Sequence, residues 1–511
     1  MVNFIKKYKY HILLWIFIVA YIIYFSYFTI LRYRTLYASY YDLGIMQQTV
    51  YNTFMSIKTG DWSRLLELTN PIAENQIKRV AIHNDILLAL LAPFYFFNSS
   101  PGTLLVVQSM VTALGAFAIF KITNLVLAKV RYSNFLALVF SLAYLLYPPL
   151  ERANIFDFHA VTFATTFLLF MFYFWLIKKY KISLVFFVLS LLSKEQVALT
   201  TLFFGIYIFT TTLHSNVVKR ERKHTTLYAS KIISVSIIWF IFSVFYLIPL
   251  FRSGQHFAVS RYSDFGDSPI RIIIGIVSNP DSISKLIFRE DTWRYFVNLL
   301  APIGFLSLFS PIQLIIALPE FAINLLSNNP NMRNINYQYT AVITPFVFVS
   351  AIYGVKKLID SKIQPSNWQT KGIKTNQLIK IVIIVLLISS LSSAYLKGPL
   401  PFAKTKDIHP IKYPQKEAAD TAFWAKTLKD ENLKISTTGQ LSPFFTSRRY
   451  FYTFSSRYSF SDYVIVRLNE IYDYPEKNEL IPVYERLKKD KNYELIFKKE
   501  NFEVYKKVAS S

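Results

Sequence analysis

Asp42, Asp157, His159, Lys194, Glu195 and Glu320 are the residues whose types and surroundings offer this chain a chemistry, because cysteine is absent from all 511 positions. Without Cys there are no disulfides, thiolate nucleophiles, iron–sulfur clusters or Cys-ligated zinc, so carboxylates, imidazoles, amines, guanidinium groups and hydroxyls must carry any reaction. Asp42 lies in the run Tyr40-Tyr41-Asp42-Leu43-Gly44-Ile45-Met46-Gln47-Gln48, shortly after the first long apolar stretch. A carboxylate there, at the headgroup boundary, is placed to meet a lipid-borne substrate, or it can cap an interfacial helix; both readings stand. Tyr41 and Gln48 of the same run join the candidate substrate-binding set. Asp157 and His159 are two residues apart in Asn154-Ile155-Phe156-Asp157-Phe158-His159. In an extended segment they point to one side, where they can share a proton, a divalent ion or an acceptor hydroxyl; a helix cap and an interfacial hydrogen bond are the plainer roles.

Lys194 and Glu195 interrupt an apolar stretch whose first arm is short. Charges at such depth cost roughly 2.5 to 3.5 kcal/mol each and face a cavity or a partner; a solvated hairpin tip is the alternative. Glu320, in Leu318-Pro319-Glu320, puts one acid inside an apolar segment, with Asn324 and the amides of Asn328-Asn329-Pro330-Asn331 following. His83 precedes an apolar stretch, Arg261 sits with Asp264 and Asp267 in a long polar segment that reads as a lid or a plain surface, and Arg333 follows the amide cluster. Lys194, Arg261 and Arg333 are the cations of the candidate binding set, and Glu195, Glu320 and His83 complete it.

The elements that must position these residues follow from composition. The chain is 53% hydrophobic and only 17% charged, more apolar than packing in water requires. Its formal charge of +25 is gathered in short basic runs between long uncharged stretches, which argues for membrane orientation and against nucleic acid. Uncharged runs from Tyr10 to Leu31, Thr103 to Phe120, Tyr132 to Leu150, Ala160 to Ile177, Gln196 to Val218, Ile232 to Phe251 and Asn334 to Tyr353 are of spanning length, with a shorter one from Ile381 to Leu396. Ile182 to Ser193 is short, Tyr295 to Leu326 is broken at Ser310-Pro311 into two short helices, and Ile86 to Phe97 lies on the membrane or dips into it. The expected fold is mainly α: a polytopic helical membrane protein of about eleven spans with a small extracytoplasmic α/β domain. Residues 1–396 form the transmembrane domain, with a large first outer loop over 32–102, and 397–511 form the soluble domain. In that domain the pattern predicts a helix over Ala418 to Leu428, strands over Lys434 to Ser436 and Asp462 to Val466, and a hairpin from Tyr493 to Tyr505.

The ordered pieces YYDLGIMQQ, a His before an apolar segment ending in Pro93, AYLLYPPLERANIFDFHAV, LLSKEQVAL and LPEFAINLLS resemble the polytopic family known as domain of unknown function 2079. The likeness runs over most of Tyr40 to Phe348, departing at His83-Asn84-Asp85, where His-x-Ser-Pro is common, and at Gln338-Tyr339, where His-Tyr is common. That family in turn resembles the C-type glycosyltransferases, multispan enzymes with an acid in the first outer loop. The resemblance implies transfer of a sugar from a polyprenyl-phosphate donor to a protein or glycan acceptor on the outer face of the plasma membrane, with membrane lipid as partner and a divalent cation as an option. Asp42 matches the position of the family acid by loop and motif, and Asp157 matches loosely. A transporter or lipid-handling protein, or a non-enzymatic envelope assembly factor, are the other classes the residues allow.

The basic runs set the orientation. Lys6, Lys7 and Lys9; Lys121, Lys129 and Arg131; Lys178, Lys179 and Lys181; Lys219 to Lys231; and Lys356 to Lys380 mark cytoplasmic connections, so the N-terminus is expected inside and the C-terminal domain outside. A reporter active only outside the cytoplasm, fused after Ser511, is expected to be active; activity only of a cytoplasmic reporter overturns the orientation.

Overall fold

A computed structural model describes residues 2–39, 41–71, 73–214, 218–252, 256–363 and 375–508. Tyr40 of the first motif and Lys371 and Lys374 of the last basic connection lie outside the described residues. The apolar runs are helical because hydrocarbon leaves a backbone N–H or C=O no partner except within its own segment. Among the described residues four helices are long and apolar enough to cross a membrane: Tyr8–Arg34, Pro101–Val126, Lys219–Arg252 and Thr375–Lys397. A fifth arises if Ser133–Leu145 and Pro148–Ile155, bent by 42° at a break ending in Pro148, count as one span. The expected spans Ala160 to Ile177 and Gln196 to Val218 contain shorter apolar helices, Thr162–Leu176 and Val197–Leu213, joined through the similarly short Tyr180–Leu191. Ile86–Phe96 is a run of tight 3₁₀ turns with Pro93 inside it, too short to span. The region broken at Ser310-Pro311 is a helix over Glu290–Leu300, three 3₁₀ segments, and a second helix over Leu318–Leu325. Lys219–Arg252 is continuous but carries a wide π turn at Phe242–Leu247.

The chain divides into two compact units. The first comprises residues 1–24, 108–155 and 160–407 and holds most of the long helices. Its interior is knit by aromatic rings and by polar side chains that reach neighbouring carbonyls. Tyr144 donates to Thr112 O at 3.0 Å and Tyr147 to Leu299 O at 2.8 Å, while both rings meet Phe348 edge to face. Gly115 permits the first of these, since a Cβ there would lie 2.1 Å from the Tyr144 hydroxyl. On the outside, Trp15, Ile16, Ile23, Ile238 and Ile388 are exposed, a surface suited to lipid.

The second unit gathers residues 25–107, 156–159 and 408–511. A small antiparallel pair, β1 (Glu67–Thr69) and β2 (Gln76–Lys78), lies in its first segment. The larger sheet uses β3 (Ile435–Thr437), β4 (Phe451–Thr453), β5 (Tyr463–Arg467), β6 (Tyr493–Lys499) and β7 (Phe502–Lys507) in the order β4-β3-β5-β7-β6. The first three are parallel and largely buried, and β7 runs antiparallel to both β5 and β6. The expected strands are found one residue later than read, and the expected hairpin is β6–β7; β1, β2 and β4 were not anticipated. Leu36 and Tyr41 of the first segment share a core with Ile435, Phe445, Phe451, Ile465 and Val504. Polar contacts join the same stretches: Arg449 pairs with Glu67 at 3.0 Å, Arg64 with Glu431 at 3.0 Å, and Phe451 N–H donates to Thr69 Oγ1 at 3.0 Å. Arg448, buried behind them, donates to the carbonyls of Phe445, Leu428, Leu433 and Asp430 and so fastens the turns below the sheet.

Glu470, just past β5, is fully buried and accepts from Thr438 Oγ1 at 3.0 Å and Gln440 N–H at 2.8 Å. Burial pushes its carboxyl up to about 7, against the opposing pull of those donors and of Arg467. A raised acid makes the folded state the better proton binder, so its stabilising effect is complete below the ordinary carboxylate range and is lost as pH rises to about 7. Relative to Glu470→Gln, which keeps the shape and the bond from Gln440 N–H while its NH2 donates to Thr438 Oγ1 in place of accepting from it, the wild-type domain is expected to lose about 3 kcal/mol between pH 4 and 8, read by pulse proteolysis across pH. Parallel curves for the two proteins refute this.

Candidate active site

Within the second unit, Asp42 is the first residue of the helix Asp42–Thr59. Tyr41 occupies the cap position and no side chain caps the helix, so the capping role open to Asp42 from sequence is not the one it fills. An acid in the first turn still gains from the helix dipole. The carboxylate keeps about half its surface open, and its Oδ2 stands 3.6 Å from His159 Nε2. His159 is nearly buried, stacks on Phe156, and has Nδ1 3.2 Å from the Phe156 carbonyl. That carbonyl can only accept, so Nδ1 carries a proton and Nε2 is turned toward Asp42.

Asp157 comes to the same cluster by an unusual backbone. Its φ of 50° is left-handed, a conformation a short polar side chain tolerates, and both carboxylate oxygens accept from Ser39 N–H at 3.1 and 3.0 Å. Burial pushes the Asp157 carboxyl up to about 7, with the neighbouring Asp42 charge acting in the same direction. Desolvation works to raise Asp42 as well, but the hydrogen bond and charge of His159 together with the charges of Arg79 and His83 outweigh it and hold Asp42 below the ordinary range. Two acids with separated affinities for protons therefore sit beside an imidazole. Arg79, overlooked in the sequence, is locked to Asp85: its Nε and Nη2 donate to the carboxylate at 2.8 to 3.1 Å, both side chains buried. Six residues apart in irregular chain, that pair has no periodicity by which to find it.

The helix carrying Asp42 is fixed by its other face. Gln48 donates to Thr69 Oγ1 at 3.1 Å and to Arg449 O at 2.9 Å, and accepts from Thr69 N–H at 3.1 Å. Gln47 bonds Ser447 Oγ and Ser99 O and receives the Tyr95 hydroxyl. Gln48 and Tyr41, which stacks on Phe451, thus serve the scaffold beneath the acid.

The first unit holds a second polar cluster. Lys194, Glu195 and Gln196 form the turn between Tyr180–Leu191 and Val197–Leu213, with Lys194 and Glu195 buried as expected of charges below a surface. Glu195 meets His256 Nε2 at 3.1 Å, and His256 Nδ1 accepts from Ala258 N–H, which leaves the proton on Nε2, aimed at the acid. Gln196 donates to Glu320 Oε1 at 2.7 Å. Arg333 is committed elsewhere: Nε to Asp291 at 2.7 Å, Nη1 to Ser327 O and Asn324 O, closing the end of the Leu318–Leu325 helix. Arg261 rests its guanidinium on Met332 Sδ at 3.8 Å and accepts Asn328 N–H at its carbonyl.

Comparison with known proteins sets these clusters in context. The model of a family described as "Predicted membrane protein (DUF2079)" matches residues 32–506. No curated protein matches the sequence. Among solved structures, the apo oligosaccharyltransferase of Archaeoglobus fulgidus superposes with a TM-score of 0.50 at 10% identity, over 99% of this chain and 75% of that one. ArnT from Cupriavidus metallidurans in the apo state gives 0.48 at 13% identity, over 96% of this chain and 98% of that one. At such identities the first likeness speaks to the fold alone.

Gly44 tests how tightly the acid's helix is held. A Cβ there would lie 2.5 Å from Ser442 Oγ and 2.9 Å from its Cβ. Gly44→Ala is expected to destabilise the second unit by about 1–3 kcal/mol and Ser442→Gly to restore most of that, measured by thermal unfolding in detergent. Additive losses in the double variant refute the contact.

Proposed function

This chain belongs to the DUF2079 family of predicted membrane proteins, and we propose that it is a glycosyltransferase of the outer face of the plasma membrane, moving a sugar from a polyprenyl-phosphate donor to a glycan or protein acceptor. The observation that carries the reading is the Asp42 carboxylate: half open, at the start of a rigid helix, paired with His159 and held ionised by surrounding cations. A base needs an ionised, reachable, immobile carboxylate, and these are its requirements. The fold's likeness to an oligosaccharyltransferase supports the class of reaction.

In the proposed reaction the acceptor oxygen attacks the anomeric carbon while Asp42 takes its proton. The bond from that carbon to the phosphate oxygen breaks, and the electron pair leaves with the lipid phosphate. Positive charge must meet that phosphate. In the second unit Arg79 is the guanidinium whose field reaches Asp42, and its tether to Asp85 keeps it in place. His159 orients the carboxylate, and Asp157, buried on Ser39 N–H, positions the loop. The orientation proposed with this function has the N-terminus in the cytoplasm and the domain after residue 397 outside.

Asp42→Asn keeps the size of the side chain but cannot take the proton. Transfer of radiolabel from polyprenyl-phosphate sugars by the purified protein is expected to fall roughly a hundredfold or more, with thermal stability within about 1 kcal/mol of wild type. Undiminished transfer by Asp42→Asn would remove the base from the reading.

A further inference from the structure

The Leu318–Leu325 helix carries two buried hydrogen-bond acceptors that the protein does not use. Glu320 is 1% exposed; Oε1 accepts from Gln196, and Oε2 has no hydrogen-bond partner among the described residues. One turn on, Asn324 is fully buried and its amide orientation is fixed, because Nδ2 donates both to Tyr339 O at 2.9 Å and to the Tyr295 hydroxyl at 3.1 Å. A carbonyl can only accept, so Oδ1 is the atom that faces away, and it too has no hydrogen-bond partner among the described residues. Residues four apart lie on one helix face, so the two oxygens belong to one surface. Burying an acceptor without a donor costs about 1–3 kcal/mol each, a strain the fold has no structural reason to repeat on one face.

Such a surface recognises a ligand rich in donors. The charge of Lys194 already acts on Glu320, which disfavours a second full positive charge and favours neutral O–H groups. Aromatic walls are present: Tyr295 and Tyr262 both feel the Glu320 charge, Tyr262 is anchored by its hydroxyl to Ile323 O at 3.0 Å, and Phe296 packs on Phe321 with ring centroids 5.5 Å apart. Buried acceptors next to aromatic rings are what the hydroxyls and apolar face of a pyranose ring require. We propose that Glu320 and Asn324 form a carbohydrate subsite, holding adjacent hydroxyls of a sugar, within the first unit. The proposal rests on the glycosyltransferase reading for its ligand class, and it concerns hydroxyl recognition alone, whether the sugar arrives lipid-linked or free.

Glu320→Gln tests it at constant shape, because the amide keeps an acceptor for Gln196 and turns the unpartnered position into a donor. Binding to the full-length protein in nanodiscs is measured for polyprenyl phosphate without a sugar, for polyprenyl-phosphate glucose, mannose, galactose and N-acetylglucosamine, and for the four matching methyl glycosides. At least one sugar-bearing probe is expected to bind wild type and to bind Glu320→Gln at least tenfold more weakly, while bare polyprenyl phosphate binds both equally. Loss confined to lipid-linked probes identifies the donor sugar as the ligand, and loss with methyl glycosides too identifies a free or acceptor sugar. The melting temperature of Glu320→Gln is expected to equal or exceed that of wild type, which a purely structural role for the carboxylate would reverse. Equal weakening of bare polyprenyl phosphate, no change with any sugar, sodium-dependent binding in place of sugar binding, or a lower melting temperature each overturn the subsite. Asp42→Asn run in parallel separates the two ideas: sugar binding that depends on Glu320 without any wild-type transfer rejects the catalytic reading and keeps the subsite.

Discussion

An ionised group drawn out of water persists only where neighbouring charges and dipoles replace its hydration, and this constraint orders the polar parts of the molecule. Arg79 is answered by Asp85, Glu195 by His256, Arg333 by Asp291 and two carbonyls, and Arg448 by four carbonyls. Asp157 takes a backbone N–H on both oxygens. Beside these matched charges, the half-open Asp42 and the oxygens of Glu320 and Asn324 that lack a hydrogen-bond partner among the described residues are groups with capacity left for something else, as are the two buried oxygens of Glu151.

The irregular backbone is where that capacity is stored. Helices satisfy their own N–H and C=O groups and can be left in hydrocarbon, but they present side chains only at fixed intervals. Asp157 reaches its place through a left-handed residue, Glu195 and Gln196 through a turn between short helices, and Glu320 directly after a series of 3₁₀ segments. Short helices and tight turns expose the ends of elements, where backbone groups and side chains can converge from several directions.

What was legible in the sequence follows from the range of the interactions involved. Long uncharged runs such as Thr103 to Phe120 are written locally in composition, and the helix Ala418–Thr427 and the hairpin β6–β7 in their own periodicities. The acids Asp42, Asp157, Glu195 and Glu320 drew attention because each is an unusual residue in an apolar neighbourhood. Their partners did not: Arg79, Ser39 and His256 acquire meaning only when the chain brings them close. β4 was missed because three residues, Phe451, Tyr452 and Thr453, are too few to show alternation, and β1–β2 because Glu67 and Lys78 look like surface residues until paired in register. The helix over Ala160 to Ile177 was read to within a few residues, but composition alone does not distinguish a full crossing from the 15-residue helix found there.

The second unit is assembled from stretches of chain far apart in order of synthesis. Leu36, Tyr41, Gln48 and Glu67 find their partners among residues 428–504, and roughly 300 residues lie between the two stretches, from 107 to 408. At translation rates of about 5–20 residues per second, the first stretch waits some 15–60 s for the strands that complete its core. Throughout that interval Leu36, Tyr41 and Glu67 are without the partners that later cover them. The contacts are thus of very high sequence separation, the kind that forms slowly and leaves a nascent chain open to aggregation or to chaperones. The cell must protect the half of this unit that is made first until the half made last arrives.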